Sequence, residues 1–323
     1  MSSAGPARVA RPCATLYGRN VTLRAGERRG AGEQAPFARL FPPVPTGFKE
    51  PFWYGSLQSF WLYYRVDPEA VAARLPNIAG DGGLEVALFD FEGHRHALAS
   101  LDFQAYTGHG PGYLEYVHEV EFNVYAYPRA RLPGVPALTW QEFLAGEDQT
   151  KTVGGYRLKV PCDNPNAIKA GIGLYGEPKY LAQFTYSTPT LNDPTVVTWD
   201  YSVFQDAGGG RQGPLVYSIE ADLRGIAPLV ANPSPLVEYG TLELNGRQHV
   251  VANEWSFFGP FMTYPLADEA AARVSLGLGP SADPHGLLEE LRTLIGTEPP
   301  VAAQTFTSPP VASECRGWLP VPA

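Results

Sequence analysis

Cysteine is scarce. Cys13, Cys162 and Cys315 are the only three in 323 residues, an odd and scattered set that excludes a disulfide framework and suits a reducing cytoplasm. No Cys-x-x-Cys pair is present to hold a structural zinc. No apolar run reaches the roughly 18 residues of a spanning helix, so no membrane partner is expected. Charge is thin as well: 18% of residues are Asp, Glu, Lys or Arg, with a net charge of −9, a balance that argues against nucleic acid and anionic membranes. Neither Gly-x-Ser-x-Gly nor His-Glu-x-x-His occurs, and Gly208-Gly209-Gly210 is not followed by Lys-Ser/Thr. An acyl-transfer serine, a zinc-protease site and a phosphate loop therefore lack their motifs. His94, His96, His109 and His118 read as polar strand and turn residues, so no metal and no cofactor is expected.

What is present is turn-forming and aromatic. Gly 34, Pro 32 and 12% aromatics predict many short strands and few long helices, a mainly β (α+β) chain large enough to bury a core. Residues 1–34 carry arginines at 8, 11, 19, 24, 28 and 29 without an apolar stretch, and 1–45 reads as a flexible tail and not a signal peptide. Strands are predicted over 55–66, 84–91, 97–106, 195–204, 215–223 and 236–244. Over 113–127, Val120, Phe122 and Val124 alternate with Glu119, Glu121 and Asn123, as on a sheet wall with two unlike faces. Asp67-Pro68 opens a short helix that Pro76 closes, and a second is expected over 139–145. Asn245-Gly246 is the strongest hairpin signal. Leu287, Leu288, Leu291, Leu294 and Ile295 fall at helical spacing in 284–295, and the Pro-rich stretch 299–323 reads as an irregular tail.

The stretch 164–184 is dense in punctuation: Gly171, Gly173, Gly176 and Pro178 precede Lys179 and the run Tyr180, Leu181, Ala182, Phe184. Pro178 fixes its own φ and pushes Glu177 toward an extended conformation, so Lys179 is delivered on stiff backbone. Burial there would lower its pKa and free a nucleophilic amine, able to form a Schiff base with a ketone or aldehyde.

The run Ala167-Ile168-x-x-Gly171-x-x-Leu174-x-x-x-Pro178-Lys179-x-Leu181 resembles the acetoacetate decarboxylase family, at the segment that ends in the Schiff-base lysine. The resemblance spans roughly 55–275, with 130–161 set apart as an insertion that covers or extends the pocket mouth. It implies one domain over 46–298, built as a curved sheet or β-barrel with a few short helices. It also implies a cofactor-free lyase in which Lys179 is the nucleophile, Glu115 is a carboxylate facing it and Asp102 is a further one. Arg65, in a matching Tyr-Arg pair, and the aromatic Tyr113 and Tyr180 are the candidate substrate-binding residues. Two departures stand out. Tyr180 replaces the second lysine of the family, so activation would come from burial, and Leu57 falls where the family uses an arginine.

The implied reaction is decarboxylation of a β-keto acid or a related carbonyl compound. An aldolase, dehydratase or cyclase using the same iminium, and a non-catalytic barrel holding an apolar or aromatic small molecule, are the alternatives. A small carbonyl substrate is the expected partner, and a homo-oligomer is compatible with this reading.

Overall fold

A computed structural model of the chain describes residues 44 and 46–320 apart from 111–112, 191–192 and 309–312. The tail expected over 1–45 thus lies outside the described residues except for Val44. β1 (Phe52–Val66) is long and leads into α1 (Pro68–Ala72). That helix starts as predicted, because the Asp67 carboxylate accepts the Ala70 N–H at 2.8 Å and Pro68 stands where no N–H is needed. β2 (Leu84–Val86) and β3 (Phe89–Phe91) turn at Glu92-Gly93 into β4 (His94–Gly110), which runs antiparallel to β5 (Tyr113–Pro128). α2 (Trp140–Ala145) carries a capping box: Glu142 N–H donates to Thr139 Oγ1 at 3.1 Å, and Thr139 N–H donates to Glu142 at 2.8 Å. β6 (Gly154–Cys162) follows, then α3 (Pro165–Ala170), capped by the Asn164 side chain and continued by a π-helical turn over Gly171–Tyr175.

The second half is β7 (Lys179–Ser187), β8 (Trp199–Asp206), β9 (Gln212–Ala221) and β10 (Leu229–Ala231). β11 (Leu236–Leu244) and β12 (Arg247–Phe257) form the predicted hairpin, with Asn245 and Gly246 at φ 54° and 72° as a two-residue turn of this kind demands. β13 (Phe261–Pro265), α4 (Asp268–Ala271), β14 (Val274–Leu278), α5 (Leu287–Glu290), β15 (Pro300–Thr307) and β16 (Ser313–Trp318) complete the chain.

Seven strands close on themselves in the order β1–β4–β5–β6–β11–β12–β16 and back to β1. All neighbours are antiparallel except β6 and β11. Closure removes sheet edges and leaves an interior lined by every second residue of each strand. Beyond residue 58, β1 exchanges β16 for β15, and the far end of β6 pairs with β7 in parallel. β7, β8, β9 and β14 form a second sheet laid over the barrel wall.

That second sheet explains why β1, β4 and β5 have no wet face. Phe60, Leu62, Leu101, Phe103, Phe122 and Val124 pack outward against Tyr201, Val203, Ile219 and the leucines of α5, which extends as a π-helical turn through Ile295. Burying each such side chain stabilises by about 1.5–3 kcal/mol. The alternate residues of the same strands, Asp102, Glu119, Glu121 and Asn123, turn into the barrel and are also buried.

Two expectations need correction. Residues 299–323 are not an irregular tail: β15 and β16 are part of the sheet, and β16 closes the barrel. The prolines masked this, yet Pro300 stands at the first position of its strand, where no ladder N–H is lost to a neighbour. Nor is all of 130–161 an insertion, because β6 is a barrel stave. Gly154 is needed there, since a Cβ would come within 2.2 Å of the Val237 carbonyl oxygen, and Gly155 packs closely on Asn123, with a Cβ 3.1 Å from its Cγ.

Candidate active site

Lys179 is the first residue of β7 and its side chain is only 6% exposed, turned into one end of the barrel. Local chemistry places it. Gly176 adopts φ 63°, and a Cβ there would stand 2.3 Å from the Thr241 carbonyl oxygen, so the turn packs onto β11 only with glycine. Gly171 is needed for another reason: a Cβ would sit 2.2 Å from Glu177 Oε2 and 2.5 Å from Lys179 Cδ. The glycines of the motif thus clear the space that the two charged side chains fill.

Lys179 Nζ lies 2.8 Å from Glu119 Oε2 and 2.8 Å from Glu177 Oε2. Tyr106 donates its hydroxyl to Glu119 Oε1 at 3.1 Å. Glu177 extends through its other oxygen to Arg157, at 3.5 Å. The fully buried Arg157 guanidinium also meets Glu121 at 3.1 Å and donates to Asn253 at 2.9 Å and to Glu238. Burial alone would pull the Lys179 pKa down, but Glu119 and Glu177 outweigh it and hold the ammonium well above the usual lysine value. Burial raises the Glu119 carboxyl, an effect that Lys179 partly offsets. Burial is thus not the only influence on the amine: the group stands between two carboxylates that oppose it.

Above Lys179 is a pocket walled by Phe52, Tyr54, Tyr106, Val117, Ala170 and Tyr175. Its lining is aromatic and apolar.

The other candidates are dispersed. Glu115 reaches the mouth of this pocket, where Asn166 Nδ2 donates to it at 2.6 Å, so Glu119 and not Glu115 is the β5 carboxylate in contact with the lysine. Asp102 lies toward the opposite end of the barrel, bonded by Ser100 at 2.9 Å and Asn123 at 2.8 Å. Arg65 is at that end too, half-exposed and paired with Glu298 at 3.3 Å, too remote to clamp a substrate on Lys179. Tyr180 follows Lys179, so strand alternation turns it outward, where its ring stacks on His285 at 3.9 Å. Tyr113 opens β5, and its side chain is outside the described ones.

Glu119, Glu121 and Glu177 were the residues hardest to assign from sequence. Their signal was there: two glutamates alternate with Val120 and Phe122, and the third stands two residues before the lysine. An alternating polar face reads as a solvated one until the strand is known to close a barrel.

No family model and no curated protein matches the sequence. Solved structures do match. A structure of an acetoacetate decarboxylase superposes with a TM-score of 0.52 at 16% identity, covering 87% of this chain and 91% of that one. The protein has the acetoacetate decarboxylase-like fold. The enduracididine biosynthesis enzyme MppR, complexed with pyruvate, gives 0.53 at 16% identity over 84% of this chain and 90% of its own. The same enzyme holding the condensation product of pyruvate and imidazole 4-carboxaldehyde gives 0.51 at 16% identity, over 84% and 89%. Both are enzymes of the acetoacetate decarboxylase-like fold.

Proposed function

We propose that the protein is a Schiff-base-forming enzyme in which Lys179 attacks a neutral carbonyl compound with an apolar or aromatic body. The observation that carries this reading is the pairing of Lys179 with Glu119 at 2.8 Å beneath an aromatic pocket. In that dry site a neutral amine and a carboxylic acid are an accessible alternative to the ion pair. Glu119 takes the ammonium proton, and the freed amine adds to the carbonyl carbon. The oxygen takes one proton from the adding nitrogen and a second from Glu119, which returns the one it held, and leaves as water, giving a protonated imine. That imine withdraws electrons from the adjacent carbon, the step shared by aldol cleavage, condensation and dehydration. A fold that accommodates a pyruvate–aldehyde condensation product in MppR is compatible with this chemistry.

A neutral substrate follows from the charges. Arg157 is engaged by Glu121, Glu177 and Glu238, and Arg65 is remote, so a substrate carboxylate would face Glu119, Glu177 and Glu115 with Lys179 as its one counter-ion. Decarboxylation of a β-keto acid is the second reading. Glu115 at the pocket mouth favours it, because a carboxylate held near another is destabilised and is relieved by loss of CO2.

Borohydride trapping with benzaldehyde, phenylacetone and benzoylacetic acid tests both. The neutral compounds are expected to give a reduced adduct roughly tenfold faster than the keto acid, the discrimination of about 1.4 kcal/mol that one uncompensated charge supplies. Faster trapping of the acid with CO2 release would establish the decarboxylase. No adduct from any of the three, in folded protein, would remove Schiff-base chemistry and leave a ligand-binding barrel.

A further inference from the structure

The barrel has a second pocket. At the end opposite Lys179, a pocket is closed over by α2 and the segment 146–153 and walled by Trp61, Tyr63, Tyr125 and Phe143. Tyr106 in the first pocket stands four positions along β4 from Asp102 in the second, a span of about 13 Å along an extended strand. The two pockets share no lining residue.

Two buried acceptors here lack partners. Asp102, 3% exposed, spends Oδ2 on Ser100 and Asn123, while its Oδ1 has no hydrogen-bond partner. Asn123, 1% exposed, donates to Asp102 and to Glu121, while its Oδ1 is unpartnered. Leaving such groups unmade costs about 1–3 kcal/mol each, so a donor belongs beside them. Of the other polar side chains, Trp61 leaves its buried indole N–H unpartnered, and the rest are committed. Tyr63 donates to Gln304 at 2.7 Å, Gln304 donates to the Leu144 carbonyl at 3.0 Å, and Asp148 accepts the N–H groups of Thr150 and Val153. Lys151, the one cation of the lining, donates to the carbonyls of Gly146 and Pro233 at 3.3 and 3.0 Å.

Charge points the same way. Among the described residues of the barrel interior, Asp102, Glu119, Glu121, Glu177 and Glu238 are five carboxyl groups facing two cations, Lys179 and Arg157, which leaves three negative charges uncompensated if all ionise. Lys179 is held at its own end by Glu119 and Glu177, and Arg157 is shared by Glu121, Glu177 and Glu238. Of the interior carboxyls that line the second pocket, Glu238 is paired with Arg157, whereas Asp102 is bonded only by neutral donors.

We propose that this second pocket binds a small organic ammonium ion, whose N–H groups fill the open acceptors of Asp102 and Asn123 and whose charge rests against the aromatic walls. An ammonium brings several donors and a positive charge to these acceptors, with favourable contact with the aromatic side chains of Trp61, Tyr63 and Tyr125. An anion would be repelled, and a neutral alcohol would supply one donor and no charge. The site is distinct from the carbonyl pocket and does not depend on Schiff-base formation at Lys179.

The test is calorimetric titration and thermal shift of the full chain with methyl-, propyl- and benzylammonium against methanol, propanol and benzyl alcohol at fixed ionic strength. At least one amine is expected to bind saturably and roughly tenfold or more tighter than its alcohol, as a charge-assisted hydrogen bond implies. Asp102→Asn, nearly isosteric, is expected to lose that tenfold, while Lys179→Arg keeps it. The wild-type comparison stands alone should the variant misfold. Equal binding of amine and alcohol, no saturable binding of any amine, or amine binding unchanged in folded Asp102→Asn would each overturn the proposal.

Discussion

The two ends of the barrel are built from the same strands and hold opposite electrostatic solutions. At one end Lys179 is matched by Glu119 and Glu177, each at 2.8 Å. At the other, Asp102 is buried with only neutral donors, and burial together with the nearby Glu121 pushes its pKa well above the ordinary carboxylate range. A buried charge needs a partner or a proton. The first end has the partner; at the second, a bound ammonium would replace the proton that otherwise neutralises Asp102.

The largest expected effect follows from removing the partner. Lys179→Ala leaves Glu119 without a cation and Glu177 with Arg157 alone, and should destabilise by about 3–5 kcal/mol, besides abolishing adduct formation. Denaturant unfolding of this variant beside Asp102→Asn, expected within about 1.5 kcal/mol of wild type, would break the comparison if the two costs were equal.

Glycine sharpens it next. Gly171→Ala places a methyl group 2.2 Å from Glu177 Oε2, whereas Gly155→Ala at the other end meets Asn123 at 3.1 Å. Overpacking of the first kind should cost about 1–3 kcal/mol and slow trapping at Lys179, and the second should cost less and leave trapping unaffected. Melting temperatures with trapping rates check both.

Smaller effects lie in pH. Glu177→Gln removes one of the two carboxylates that raise Lys179, so the pH at which trapping reaches half its maximal rate should move down; an unchanged midpoint would show that Glu177 does not hold the ammonium. Asp102 and Glu238 have raised folded pKa values. The sign for such carboxyls is that the stability they add is full below their unfolded pKa and is lost as pH rises through the folded one. Asp102→Asn should therefore lose less melting temperature than wild type between the ordinary carboxylate range and the raised value, a small difference readable by pH-scanned thermal melts.

Much of this was legible in the sequence where local chemistry decides. The Asp67-Pro68 cap, the Asn245-Gly246 hairpin, the α2 helix and the glycine-spaced approach to Lys179 are all written in neighbouring residues. What local chemistry cannot state is closure. Strands separated by more than 200 residues, β1 with β15 and β16, pair only in the folded chain. Closure turned the Glu119–Glu121–Asn123 face from solvent to interior, made β6 a stave, and sent Asp102 and Glu115 to different places. The same closure set Tyr180 outside while Lys179 went in.

Peptide mass mapping of the protein after treatment with benzaldehyde and borohydride addresses the central claim most directly. The exposed Lys49 and Lys169 serve as internal controls for non-specific amine reactivity. A single reduced adduct on the peptide carrying Lys179, absent in Lys179→Arg, is the predicted result. Adducts on Lys49 or Lys169 with Lys179 unmodified would contradict the account, because the buried clamp would then protect the amine and not present it.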